Sequence, residues 1–340
     1  MTPDTLFSGP ARTLILIAAV VVVLAGMRAA SPILGPLLFS VFLAVIFGML
    51  LHWFMKRGYS RRVALLLTLG IFIGIIAVFS VVIAGSFLRI LADLPMYQEE
   101  LQRNMEMAGP LLSQYGLGEL DTAGIAASFK DPLLGLAGSL LDLAIAAFII
   151  VLTTLFLLWE ATGFSSKIRQ IIGEYRPGDM ERFTGLATKN VDYLIIRTWV
   201  NLAMGVGTAV ILWLIGVDYA IFWGFLAFLL GFVPYIGFWL AIIPPMLFAW
   251  VELGPVAALL VLAGEALVNV LAEYILFPHM AGRGLDLSPA VVFISLIFWG
   301  WILGAFGVLL AVPLTLTVRM IAELFDGSRW IGVLLGPGTE

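Results

Sequence analysis

Cysteine is absent from the 340-residue chain, and histidine occurs only twice, at His52 and His279. Without thiols there is no disulfide framework, no thiolate metal site and no cysteine nucleophile. Two imidazoles so far apart in sequence are poor material for a zinc centre. No metal and no cofactor are therefore expected. Charge is scarce as well: 18 basic and 22 acidic residues leave a net charge of −4. No basic face exists that could neutralise a run of phosphates, so nucleic acid is not an expected partner. The chain has no glycine-rich loop ending in Lys-Ser or Lys-Thr to cradle a nucleotide, which disfavours a primary pump. Neither a Gly-X-Ser-Gly nucleophile nor paired aspartates in intramembrane-protease motifs are present, so no enzyme activity is expected.

What is abundant is apolar surface: 62% of the residues are hydrophobic, 12% are charged, and the mean hydropathy is +1.09. That balance places the chain in a bilayer and predicts an all-α integral membrane protein. Arg12 followed by the uncharged run Thr13 to Met27 resembles a secretory signal. Arg28 stands where a cleavage site after Ala30 would need a small residue, and a second apolar run follows at once. A retained helix is the expectation.

Spans of about 20 apolar residues cross the hydrocarbon core. On that rule, helices fall near 11–30, 33–55, 62–90, 138–160, 191–216 and 255–277. The resulting plan has three transmembrane helices in 1–92, an external amphipathic segment at 93–137, a fourth helix at 138–160, a cytoplasmic helical hairpin at 161–190 and a transport core over 191–340. Lys56, Arg57, Arg61 and Arg62 form a turn with four positive charges and no acid, which the positive-inside rule assigns to the cytoplasm. Counting spans from there makes both termini cytoplasmic. The basic residues of 161–190 (Lys167, Arg169, Arg176, Arg182 and Lys189) then also fall inside.

Two uncharged runs, 219–251 and 287–318, do not fit the rule. Each would measure about 48–50 Å as one helix against about 30 Å of hydrocarbon, so each must bend. The first contains its own breakers in "GFVPYIGFWLAIIPP": Pro234, Tyr235 and Gly237, then Pro244 and Pro245. The second starts at Ser288-Pro289, loosens at Gly300, Gly304 and Gly307, and ends at Pro313. Backbone freed inside hydrocarbon is tolerated where protein or a polar cavity satisfies it, and interruptions in two places point to a transport pathway. Both runs are read as broken or re-entrant hairpins.

The stretch "LLGFVPYIGFWLAIIPP", followed by "EYILFPHMAGRGLDLSPAVVFISLIFWGWILGAFGVLLAVPL", resembles the paired signature of the AI-2E transporter family, the autoinducer-2 exporters. "VDYLIIRTWVNLAMGVGTAVILWLIGVDYAIFWGFLAFL" extends the likeness. The resemblance implies a multi-pass transporter of the bacterial inner membrane that needs no ATP. Some members would export a small polar signal and others would exchange monovalent cations for protons. It also implies a homo-oligomer, a pentamer, with a mobile part built from the broken hairpins. Besides membrane lipid, the expected partners are a small polar solute or a monovalent cation and proton.

Polar residues inside the membrane are the chemical candidates, because each is costly there. In "EALVNVLAE", Glu265, Asn269 and Glu273 recur at i, i+4 and i+8, so two carboxylates and an amide share one stripe of a helix. That stripe could line a path for cations or hydroxyl-rich solutes, and one carboxylate could carry a proton. Arg197 and Asn201 share a face of the 191–216 helix. For Arg197 three readings stand: snorkelling to the interface, an ion pair with a hairpin, or a substrate contact. Asp142 and Glu160 read as boundary charges, and His279 as solvated. A passive channel or a structural oligomer remains a rival to a carrier.

Overall fold

The computed structural model describes residues 9–114, 145–160, 180–281 and 287–336. Among these, all regular structure is helical: α1 (Gly9–Ala29), α2 (Ser31–Lys56), α3 (Arg61–Gln114), α4 (Ile145–Glu160), α5 (Met180–Ile215), α6 (Ala220–Leu230), α7 (Ile236–Leu253), α8 (Pro255–Val270), α9 (Pro289–Leu303), α10 (Ala305–Leu309), α11 (Ala311–Leu324) and α12 (Arg329–Leu335). Helix α8 runs on through a π-helical turn, Leu271–Leu276, into Phe277–Ala281. Five segments are long and apolar enough to cross a bilayer: Ser31–Lys56, Arg61–Ile90, Val191–Ile215, Ile236–Leu253 and Pro255–Ala281. Large apolar side chains such as Leu66, Phe156, Trp213 and Val256 face outward. This is the inversion expected of an all-α multi-pass membrane protein whose exterior meets lipid.

The helices approach closely where glycine permits it. A Cβ on Gly205 of α5 would lie 2.6 Å from the Gly224 carbonyl of α6, and the reciprocal distance from Gly224 to the Gly205 carbonyl is 2.5 Å. Small residues allow such crossings without any hydrophobic drive between helices in lipid. Helix α5 thereby holds α6 on one side and packs against α8 on the other, where Gly207 meets Val268 and Gly264 meets Ile211.

Both long uncharged runs fold back on themselves. At the ends of the first, the Asp218 amide donates to Glu252 Oε2 at 3.2 Å, so α6 begins where α7 finishes. The same end is tied to α3: Tyr219 donates to Asp93 at 2.6 Å and Tyr97 to Asp218 at 3.2 Å. Burial, and then the bond to Asp93, push the Tyr219 hydroxyl up to about 12, which keeps it a donor at any physiological pH. In the second run, Trp299 on α9 donates to Thr315 on α11 at 3.0 Å, and Leu287 and Val292 pack against Val312 and Leu316. Its tip is Gly304, at φ +63°. Val233 at the first tip packs among Leu296, Trp299, Ile302, Leu303 and Ala311 of the second hairpin.

Several sequence expectations require correction. Pro244 and Pro245 do not break the first hairpin, because α7 continues through both. Their fixed φ is already helical, and the 18-residue helix bears both the loss of the ladder donors to Leu240 and Ala241 and the crowding of those carbonyls by the rings. Gly237 lies in the first turn of α7, two residues past the break at Pro234 and Tyr235. Gly300 is inside α9 and Gly307 inside α10, so Gly304 alone of the three glycines sits at a turn. Pro313 does not end a helix; it occupies the first turn of α11, where a missing N–H costs nothing. Helix α3 does not stop near residue 90. Gln, Glu, Leu and Met favour its continuation to Gln114, with an Arg103–Glu100 pair at 3.0 Å. The rest of the expected external segment, Asp142, and most of the expected cytoplasmic hairpin lie outside the described residues.

The absence of native cysteine makes sidedness easy to measure. Tyr59→Cys, in the basic α2–α3 turn, should react with an impermeant maleimide only from the cytoplasmic side, and Glu99→Cys only from the outside. Labelling of both from one face of intact cells would contradict the charge-based orientation.

Candidate functional site

Arg197 is buried on α5, one turn from Tyr193 and one from Asn201. Its Nη1 reaches both oxygens of Glu273, at 2.7 and 3.0 Å, and its Nη2 donates to the carbonyl of Gly231 at the end of α6. The guanidinium also lies over the Phe277 ring, 5.9 Å from its centroid. One side chain therefore joins α5, the π turn after α8 and the first hairpin. Of the three readings of Arg197, an ion pair is observed, but its acid is Glu273 of the π turn, 76 residues away, rather than a residue of a hairpin. Nε of Arg197 is buried with no hydrogen-bond partner.

This junction forms one wall of a cavity of about 440 Å³. Arg197 and Tyr193 contribute from α5, Pro234 and Tyr235 from the first break, Asn269, Glu273 and Tyr274 from α8 and its π turn, and Leu287 and Pro289 from the foot of the second hairpin. Both interrupted segments thus border the same space. The geometry at its rim is unusual in two respects. Tyr235 has φ 63° and ψ −53°, a conformation that a bulky side chain rarely adopts. Glu273 sits in a π turn, a rare element that frequently marks functional sites.

The expected stripe Glu265–Asn269–Glu273 divides. Asn269 and Glu273 line the cavity, while Glu265 does not. It is buried against α5, where Thr208 donates to its Oε2 at 2.7 Å, and its Oε1 has no partner. Both carboxylates face α5, but about 12 Å of helix rise separates them, so Glu265 meets Thr208 while only the Glu273 end reaches the cavity. Asn201 is also outside the cavity wall. It is fully buried, both of its amide atoms lack partners, and it abuts Gly231, whose added Cβ would lie 2.7 Å from Oδ1. Among the described residues no cluster of three or more His, Cys, Asp or Glu could hold a metal ion.

Tyr193, Gly231, Tyr274, Phe277 and Thr208 were not among the sequence candidates. Tyr193 precedes Arg197 by four residues and Thr208 follows it by eleven, so both share its stripe on α5. That periodic signal was available in the sequence. Nothing local flags Gly231, whose role is the acceptance of a distant guanidinium. Thr208→Val should lower thermal stability by about 1–2 kcal/mol, because it leaves the buried Glu265 carboxyl without its donor. A chemical-denaturation midpoint in detergent equal to wild type would contradict that pairing.

The comparisons with known proteins are consistent along the chain. The sequence profile described as "AI-2E family transporter" matches residues 16–326. The AI-2 transport protein TqsA of Escherichia coli K12 is 33% identical over 331 residues, covering 95% of each chain. YhhT of the same strain, whose name assigns transport without a cargo, is 33% identical over 337 residues, covering 96% of this chain and 94% of its own. A transport protein of Haemophilus influenzae is 33% identical over 341 residues and 96% of each chain.

Proposed function

Because this chain belongs to the AI-2E transporter family, we propose that it is a secondary transporter of the bacterial inner membrane. In this reading it exports a small hydroxyl-rich solute of the autoinducer-2 kind and uses the Arg197–Glu273 cavity as its site. The single observation that carries the reading is the convergence of a buried guanidinium, a carboxylate, the break of the first hairpin and the foot of the second on one cavity. A guanidinium donates, a carboxylate accepts, and the Tyr193, Tyr235 and Tyr274 hydroxyls do either. That set matches a solute bearing several hydroxyls. The relative named for AI-2 transport supports the choice of solute.

The cycle follows from the junction. With Arg197 bonded to Glu273 and the Gly231 carbonyl, the first hairpin is held to α5. Solute hydroxyls that replace either contact release the hairpin, and the opposed hairpins then move around the bound solute to expose it on the other side. Such a carrier needs no bound nucleotide or metal, and both termini stay in the cytoplasm. The apolar exterior suits assembly into a homo-oligomer as well as contact with lipid.

Exchange of Na⁺ or Li⁺ for protons is the second reading. The buried Glu265 favours it, since no cation faces that carboxyl among the described ion pairs. Purified protein in liposomes distinguishes the two when labelled solute counterflow and cation-driven proton movement are measured side by side. Glu273→Gln should reduce counterflow by an order of magnitude or more, while Glu99→Gln on the exposed part of α3 leaves it unchanged. Equal rates for Glu273→Gln and wild type would remove that carboxylate from the site.

A further inference from the structure

The last helix, α12, has seven residues, too few to cross anything. Its two faces differ sharply. Gly332 and Leu335 face the protein: an added Cβ at Gly332 would press on Glu323 of α11, and Leu335 packs on the cluster of Leu287, Val292, Val312 and Leu316. Trp330, Val333 and Leu334, at i, i+3 and i+4, face outward and are 64, 79 and 67% exposed. Val318, Ile321 and Phe325, on and just after α11, are exposed as well.

The position of that face is set by the rest of the bundle. The turn carrying Lys56, Arg57, Arg61 and Arg62 has exposed tryptophans beside its arginines: Arg57 lies 4.0 Å over Trp53, and Arg61 donates to the carbonyl of the exposed Trp159. Tryptophan and arginine together mark a membrane interface. Helix α8 crosses from the Asp218–Glu252 end to this same end, and Leu287, which follows it, packs beside Tyr193 near the start of the α5 span. The exposed pair Arg329–Trp330 therefore stands at the level of Trp53 and Trp159.

We propose that α12 is an interfacial anchor, lying in the headgroup layer of the cytoplasmic leaflet with Trp330, Val333 and Leu334 inserted into lipid. The anchor is fastened to the transport site. The Ser288 amide donates to the Leu335 carbonyl at 3.2 Å, and Ser288 sits between Leu287 and Pro289, both of which line the cavity. Lipid packing around α12 thus restrains the foot of the second hairpin and sets how readily the cavity rim opens. This last step rests on the transport reading above, whereas the anchor itself does not.

The test uses full-length protein carrying one cysteine at 330, 333 or 334, labelled with an environment-sensitive fluorophore in phosphatidylethanolamine–phosphatidylglycerol liposomes, with a label at Gly327 for comparison. Labels at the three positions should emit to the blue of the Gly327 label and be quenched by nitroxide lipids rather than by aqueous iodide. Iodide quenching at all three, or self-quenching between neighbouring copies that nitroxide lipids do not alter, overturns the anchor. In the second arm, the double substitution Val333→Asp and Leu334→Asp should slow solute counterflow several-fold while Gly327→Asp does not. Wild-type counterflow in the double variant, with the labels still in lipid, overturns the coupling to the rim. Absence of counterflow in the wild type itself would count against the transport reading and leave the labelling result to decide the anchor.

Discussion

Arg197→Ala is expected to abolish solute transport and to lower stability by about 3 kcal/mol or more, since it strands the Glu273 carboxylate without its counter-charge. The loss has two components that can be separated. Stability falls because the part-buried carboxylate and the Gly231 carbonyl both lose a donor. Transport falls because the cavity loses the one cationic wall residue among the described residues. The pair Arg197→Gln and Glu273→Gln in one chain removes both charges and leaves two amides of similar reach. Thermal stability should recover most of the way, as replacement of a whole buried pair costs far less than removal of one partner. Transport should not recover. A double variant that transports at the wild-type rate would mean that the ion pair only joins helices.

The second large effect concerns the hairpin tips. Gly237→Ala and Gly307→Ala should each cost about 3 kcal/mol or more and strip the protein of its folded hairpins, a size reserved for clashes that the backbone itself must absorb. At Gly237 an added Cβ runs into the Leu230 carbonyl, and at Gly307 into the Trp299 carbonyl. Each hairpin thus has one position where its second arm touches the backbone of its first. Gly74→Ala and Gly26→Ala, which meet nothing within 4 Å, serve as controls and should be neutral or slightly stabilising. Recovery of folded Gly237→Ala protein with an unchanged melting temperature would contradict the close approach. Because even alanine clashes there, substitution at Gly237 does not report on hairpin movement. Pro234→Ala, which alters the break without adding atoms at a contact, is the cleaner probe of motion.

These two sites show how far the sequence could be read. The arithmetic of uncharged runs against bilayer thickness was sufficient to require bends in 219–251 and 287–318, and the structure bends at Tyr235 and Gly304. The same arithmetic could not say which breakers break. A proline tolerated in a helix and a proline at a turn look alike until the neighbouring carbonyls are placed, so Pro244, Pro245 and Pro313 read as breaks in the sequence but lie within helices. Polar periodicity singled out Arg197 and Glu273 separately, but their pairing is a tertiary fact with no local trace. The same limit hid Gly231, and it hid the contact with Thr208 that takes Glu265 away from the cavity. Length rules failed for α3 because a bilayer ends the apolar run, not the helix.

Solute is proposed to pass through the Arg197–Glu273 cavity. The most direct test is counterflow of a labelled autoinducer-2-type solute in liposomes of purified protein, with Tyr235→Cys as a blockable lining residue in the cysteine-free chain. This variant should show saturable exchange that ceases when a thiol reagent is attached at position 235, with the wild type unaffected by the reagent. Exchange that persists undiminished after complete modification at position 235 would place the pathway elsewhere.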